Sequence, residues 1–156
     1  SAASDVYKRQ THNSDFAPGF IGLLGNPHAL GQAVHIMSPE SMTWNQIYEV
    51  VANALGVKLN AVHISTDFLA AAGGGKYDFT GSLTGDKSNS VVFDISKLKR
   101  LVPGFAPVKS MEQGLRETVQ NVLAHPELQR EDPEFDSWCD RVIEARQKAL
   151  DSLQQG

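Results

Sequence analysis

Apolar residues recur at helical spacing in several stretches of the chain and form short unbroken runs in three others, which predicts amphipathic helices interspersed with short strands. Phe16, Phe20, Leu23 and Leu24 mark a first helix. Ser14 or Asp15 is placed to cap it, Pro18 is tolerated in its first turn, and Gly25-Asn26-Pro27 closes it. The run Ala33-Val34-His35-Ile36-Met37 reads as a buried strand between Gly31 and Pro39. Thr43 with Gln46 forms a capping box, with Met42 and Ile47 as the hydrophobic staple. The helix it opens lines Ile47, Val50, Val51, Ala54 and Leu55 on one face and ends at Gly56. Ala61-Val62-His63-Ile64 and Val91-Val92-Phe93 are the second and third strand candidates, with a short helix over about 66–72 between them.

The second half reads as helices. Asp94 or Ser96 caps one that carries Leu98, Leu101 and Val102 and stops at Pro103-Gly104. Ser110 with Gln113 repeats the capping-box pattern ahead of Leu115, Val119, Val122 and Leu123. Asp132-Pro133 then opens a long helix with Phe135, Trp138, Cys139, Val142, Ala145, Ala149 and Leu153 on one face. Residues 1–10 show neither period and read as a tail or a truncated upstream element. Helices outnumber strands, and short strands need partners to persist in water. The expected fold class is α/β: a mostly helical lobe with a small sheet.

Composition narrows the functional classes. The 156 residues, 41% hydrophobic and 21% charged, can bury a core and are few for a two-domain enzyme. A net charge of -4 with no basic run longer than Lys8-Arg9 argues against a nucleic-acid or anionic-membrane partner. The single cysteine, Cys139, allows no intrachain disulfide, and no stretch is apolar enough for a signal core or a membrane span. A cytoplasmic location is the default expectation.

Two glycine patterns look like phosphate sites. Ala70-Ala71-Ala72-Gly73-Gly74-Gly75-Lys76 lacks the P-loop glycine at Ala70 and the hydroxyl residue at Tyr77, so it reads as a helix end and a loop. Gly19, Gly22 and Gly25 satisfy GxxGxxG, the spacing with which a dinucleotide loop brings backbone amides to a pyrophosphate. That loop must follow a buried strand, and Tyr7-Lys8-Arg9-Gln10-Thr11-His12 is not apolar. The glycines are therefore expected inside the first helix, on a face packed closely against another element.

Other polar candidates have plainer readings. His12 and Asp15 suggest an acid/base pair, but Asp15 as helix cap with His12 as an exposed or hydrogen-bonded neighbour is the plainer reading. His12, His28, His35, His63 and His125 have no zinc-ligand spacing, and His35 and His63 fall inside the strand candidates. Trp44 and Trp138 sit at core-compatible positions, and Cys139 beside Trp138 is expected to be inert.

Taken in order, Thr11-His12-Asn13-Ser14-Asp15-Phe16-Ala17, Thr43-Trp44-Asn45-Gln46-Ile47, Asp94-Ile95-Ser96-Lys97-Leu98 and Met111-Glu112-Gln113-Gly114-Leu115 resemble one family. They are similar to the C-terminal part of the extended short-chain dehydrogenase/reductases, the NAD-dependent epimerase/dehydratase family acting on nucleotide sugars. The likeness runs from Thr11 to about Ala145. It implies a substrate-binding lobe, residues 11–156, whose complete protein would carry NAD or NADP in an upstream Rossmann half. The catalytic Tyr-x-x-x-Lys of the family is missing, since Tyr7, Tyr48 and Tyr77 are followed four residues later by Thr11, Ala52 and Gly81. The resemblance thus implies no catalytic or cofactor-binding residue in this chain.

It does imply a substrate contact. The family places an Arg-x-Gly-Asp loop against the nucleotide, and here the loop is Leu83-Thr84-Gly85-Asp86-Lys87. Gly85 and Asp86 match, Leu83 replaces the arginine and its bidentate donors, and Lys87 offers a point charge instead. Gly85, Asp86 and Lys87 are the expected contacts to a nucleotide sugar or related molecule. The family also covers the first helix with its Rossmann half, so Phe16, Phe20, Leu23 and Leu24 point to that half or to self-association as partner. A non-catalytic interaction module built on the same helices is the rival class.

Overall fold

The computed structural model describes residues 6–154, apart from the side chain of Asp86. Two strands, β1 (Tyr7–Lys8) and β2 (Met42–Thr43), pair antiparallel with Tyr7 opposite Thr43 and Lys8 opposite Met42. Six α-helices accompany them: α1 (Asn13–Leu23), α2 (Trp44–Ala54), α3 (Thr66–Gly73), α4 (Ser96–Leu101), α5 (Met111–Ala124) and α6 (Pro133–Gln154). A π-helical segment runs over Thr80–Asp86, and short 3-10 turns at Pro27–Ala29 and Pro126–Leu128 follow α1 and α5. The fold is mostly helical with a small sheet, as the hydrophobic pattern predicts.

The sheet is not where the sequence puts it. Residues 33–37, 61–64 and 91–93 form no strand, because an apolar run becomes a strand only when another edge takes up its amides and carbonyls. What they find instead is piecemeal. The Val91 amide donates to the Tyr7 carbonyl at 3.2 Å, Lys97 Nζ donates to the Ala33 carbonyl at 3.1 Å, and the His35 ring stacks on Phe93 with centroids 4.4 Å apart. His35 and His63 are exposed, correcting their expected place in buried strands. Of the ten residues read as a tail or upstream remnant, 1–5 lie outside the described residues. Val6 is buried and Tyr7–Lys8 make β1, with the Tyr7 amide donating to Ser90 Oγ at 3.1 Å.

Helix starts follow the sequence more closely. Thr43 and Gln46 make the full capping box of α2, whose buried face is Ile47, Val50 and Ala52. Ser110 Oγ accepts from the Gln113 amide at 3.1 Å, but the Gln113 side chain turns to Glu117, so α5 has half a box. At α4 neither expected residue is the cap. Asp94 Oδ1 accepts the Ser96 amide from two residues upstream at 2.8 Å, and these serine hydrogen bonds hold its carboxyl below the usual range. Pro133 opens α6, with Asp132 Oδ1 accepting from the Phe135 amide at 3.0 Å.

The core gathers around Leu98, the one described side chain fully withdrawn from water. Val6, Ile47, Val50, Ile95, Phe105 and Met111 are buried, drawing in residues from β1 through α5. Helix α1 approaches this core through its glycines. A Cβ on Gly19 would stand 2.7 Å from Ile36 Cγ2 and 2.9 Å from Phe105 Cε2, and one on Gly22 would stand 2.5 Å from Val102 Cγ1. Gly25, at φ +73°, turns the chain out of the helix. The glycine spacing thus serves close packing.

Gly19→Ala tests that contact, because helix propensity alone favours alanine by about 1 kcal/mol. Phe105 is buried and has little room to give, so overpacking by about 1–3 kcal/mol should prevail and lower stability in urea unfolding. A gain in stability would show that Gly19 has room to spare.

Candidate functional site

One concavity is a groove of about 820 Å³. Trp44, Asn45 and Tyr48 of α2 form one wall, residues 59–66 a second, and Trp138, Cys139, Val142 and Ile143 of α6 a third, with Leu83 and Lys87 at the remaining side. Each wall has a local cause. The capping box fixes the start of α2 and so places Trp44 and Asn45. His63 Nε2 lies 3.1 Å from Asn45 Oδ1, tying residues 59–66 to α2. Trp138 is buried among aromatic rings, with Tyr77 at 4.8 Å, Phe79 at 5.5 Å and Phe135 at 5.7 Å between centroids, and its indole donates to the Ala72 carbonyl at 3.2 Å. An ion pair between Lys76 and Glu134 joins the loop after α3 to the start of α6 and raises the lysine pKa.

Of the expected substrate contacts, Lys87 lines the groove. Gly85 is exposed, and its carbonyl accepts from Asn89 Nδ2 at 3.3 Å. The side chain of Asp86 lies outside the described residues. Leu83, which stands where the family has arginine, presents an apolar surface to the same groove. These residues belong to the π-helical segment and the residue after it, not to an open loop. Trp44, expected in the core, is half-buried at the groove wall. Sequence reasoning missed that wall, whose signal was the pair Trp44 and Tyr48 on one side of α2, with ring centroids 6.0 Å apart.

A second, smaller cavity of about 300 Å³ lies between the starts of α1 and α5 and is lined by His12, Asn13, Lys109 and Gly114 among others. Here His12 and Asp15 exchange their expected roles. His12 Nδ1 accepts from the Ser14 amide at 3.2 Å and caps α1. Asp15 is buried, and its two carboxylate oxygens accept from the amides of Val108 at 3.0 Å and Lys109 at 3.1 Å. Both oxygens of Asp15 are thus engaged by the backbone ahead of α5. The Lys109 ammonium forms an ion pair with Glu117, whose carboxyl it holds below the usual range, and His12 Nε2 lies 3.8 Å from the same carboxylate. Near the glycine spacing of α1, space a pyrophosphate would need is filled by Ile36, Val102 and Phe105.

Cys139 lies half-buried in the groove wall. Burial first, then the carboxylates of Asp136 and Asp140, push its thiol pKa up. Among the described residues no three His, Cys, Asp or Glu side chains gather to hold a metal ion, and no helix is long and apolar enough to cross a membrane.

Over 94 residues the chain is 30% identical to 2'-dehydrokanamycin reductase of Streptomyces kanamyceticus, a stretch that covers 60% of this chain and 26% of that protein. The similarity is consistent with a relationship to the short-chain dehydrogenase/reductases. The chain spans about a quarter of the length of this relative. No family model and no solved structure matches it.

Two outcomes follow from this geometry. Asp15→Ala strands two backbone amides and should cost about 2–4 kcal/mol in denaturant unfolding, with Asp15→Asn, which keeps one acceptor oxygen, losing less. An Asp15→Ala chain as stable as the wild type would show that these amides find other partners. Because its raised pKa keeps the thiolate scarce, Cys139 should react with iodoacetamide at pH 8 more slowly in the folded chain than in urea. Equal rates would mean that the groove leaves the thiol open and unperturbed.

Proposed function

We propose that this chain is the substrate-binding lobe of an oxidoreductase of short-chain dehydrogenase/reductase type, with the extended epimerase/dehydratase enzymes as its nearest pattern. The cofactor, NAD or NADP, and the Tyr-x-x-x-Lys pair belong to the remainder of such a protein. The lobe's part is to hold a nucleotide sugar or related small molecule, with Gly85, Asp86 and Lys87 as its contacts.

One observation carries this reading. The chain exposes 10614 Å², whereas a self-contained monomer of 17.0 kDa exposes about 7,700 Å². The difference of roughly 2,900 Å² exceeds one partner's half of most large obligate interfaces, which bury about 2,000–5,000 Å² counted over both partners. Exposed apolar side chains include a set on α1, where Phe16 and Phe20 stack at 6.1 Å and are exposed at 46% and 49%, followed by Leu24 just past the helix at 63%. These residues repeat every four positions along the side of α1 that its glycines leave free. That face is suited to the other half of the enzyme, and in its absence to a second copy. The similarity to the reductase supports the reaction class. The rival reading, a non-catalytic interaction module, draws on the same face and on the replacement of the family arginine by Leu83.

Light scattering at micromolar concentration tests the lobe assignment. The isolated chain should scatter as a mass above 17.0 kDa and bind an apolar-surface dye, and Phe20→Glu should reverse both without altering the far-ultraviolet dichroism. Calorimetry should show no binding of NAD or NADP. A monodisperse 17.0-kDa wild type with little dye binding, or micromolar dinucleotide binding lost in Gly22→Val, overturns the reading.

A further inference from the structure

We propose that the groove between α2, residues 59–66 and α6 receives α1 of a second copy of this chain, with the stacked Phe16 and Phe20 and the following Leu24 of one molecule seated against Trp44, Tyr48, Val62 and Ile143 of the next. The contact rests on the reading above only in taking the outer face of α1 as uncovered. In a complete enzyme the other half would cover α1 and leave the groove to substrate.

Both surfaces are apolar and open. Tyr48, Leu59, Val62 and Ile143 line the groove and are nonetheless exposed, as are Phe16, Phe20, Ile21 and Leu24 on and just past α1. Among the described residues none of α1 lines the groove, so within one molecule ridge and groove stay apart. Shape favours joining them between molecules. Apolar anchors four residues apart on one side of a helix are the form in which a helix enters an apolar groove. Two convex ridges touch along a line, whereas a ridge in a three-walled groove of about 820 Å³ is covered on several sides. Area points the same way. A standard interface takes about 600–1,000 Å² from each partner, and a chain pairing ridge on ridge covers that much once. A chain that gives its ridge to one neighbour and its groove to another covers it twice, closer to the roughly 2,900 Å² by which its surface exceeds that of a self-contained monomer. Charge does not oppose the contact. Between Asn13 and Leu24 the only ionisable side chain is Asp15, which is buried, so seating the ridge desolvates no charge of the helix. An uncharged occupant also leaves the contact independent of how Lys87 is paired and of the carboxylates of Asp136 and Asp140 beside Cys139. Joining unlike patches head to tail adds copies one after another instead of closing at two.

Mixing two variants under light scattering tests the contact. Wild type should form assemblies whose mass rises with concentration. Phe20→Glu, which spoils the ridge, and Val62→Glu, which spoils the groove, should each weaken self-association by roughly a hundredfold or more, as for a charge forced into an apolar contact. Mixed in equal amounts they should combine, because the first keeps a sound groove and the second a sound ridge. The product should be a heterodimer of two 17.0-kDa chains and nothing larger. The chain has two tryptophans and both line the groove, so their emission should move to shorter wavelength as the heterodimer forms. Tyr48→Glu, at an exposed groove position on α2, should behave as Val62→Glu does and takes its place if the dichroism of that variant shows misfolding. Groove variants that self-associate like wild type would mean that α1 pairs with α1, which overturns this proposal and leaves the lobe reading standing. A mixture that stays monomeric does the same, whereas a monomeric wild type overturns both.

Discussion

The carboxylate of Asp15, buried near the start of α1, accepts the amides of Val108 and Lys109, and the path from there reaches most of the molecule. Ser110, the next residue, caps α5, and the amide of Met111 is taken by Glu40 Oε2 at 2.7 Å. Glu40 lies just ahead of β2, which runs directly into α2, the helix that packs along α5. Two carboxylates on backbone amides therefore set α1, α5 and α2 relative to one another, and α2 in turn carries Trp44 and Tyr48 to the groove. A charged acceptor suits this task because its bonds to amides are short and strong, while an unpaired amide at the same place is costly.

What was legible in the sequence is what local chemistry decides. The capping box at Thr43, the proline opening α6 and the helical period of α5 depend on residues within a few positions of each other, and all three helices form where that chemistry places them. The glycines of α1 were legible for a related reason. With no buried apolar run ahead of them they were expected in a helix, and Ile36, Val102 and Phe105 occupy the space that Gly19 and Gly22 leave. Roles that depend on distant partners were not legible. Asp15 reaches 93 positions along the chain to Val108, and nothing near Asp15 in sequence distinguishes it from a helix cap. The strand candidates at 33–37, 61–64 and 91–93 failed likewise, since a run of apolar residues does not say whether an edge is waiting for it.

At the groove the sequence named the rim and missed the walls. Lys87 was reached through a motif whose arginine is absent, and it does line the concavity. Trp44 and Trp138 were assigned to the core because amphipathic spacing cannot separate a core face from a cavity wall; both bury apolar area. Trp138 indeed has both characters, packed by Tyr77, Phe79 and Phe135 on some sides and bordering the groove on another.

The exposed surface and the small core are two sides of one constraint. A chain this size can hold a single core, yet among the described residues Leu98 alone is fully withdrawn from water. Helix α6 is 22 residues long and buries only Trp138 and Val142, while Leu153 near its end is 79% exposed. Helices in water owe most of their stability to the apolar face they bury, so an element that buries so little over six turns is held chiefly at its first half. The same holds for α1, which buries Asp15 and Gly19 and leaves Phe16 and Phe20 exposed. Each of these helices presents an apolar surface outward that it could have turned inward only at the expense of the contact it already makes. Covering the outer face of α1 would therefore add apolar burial from outside without disturbing the packing of Gly19 against Ile36 and Phe105.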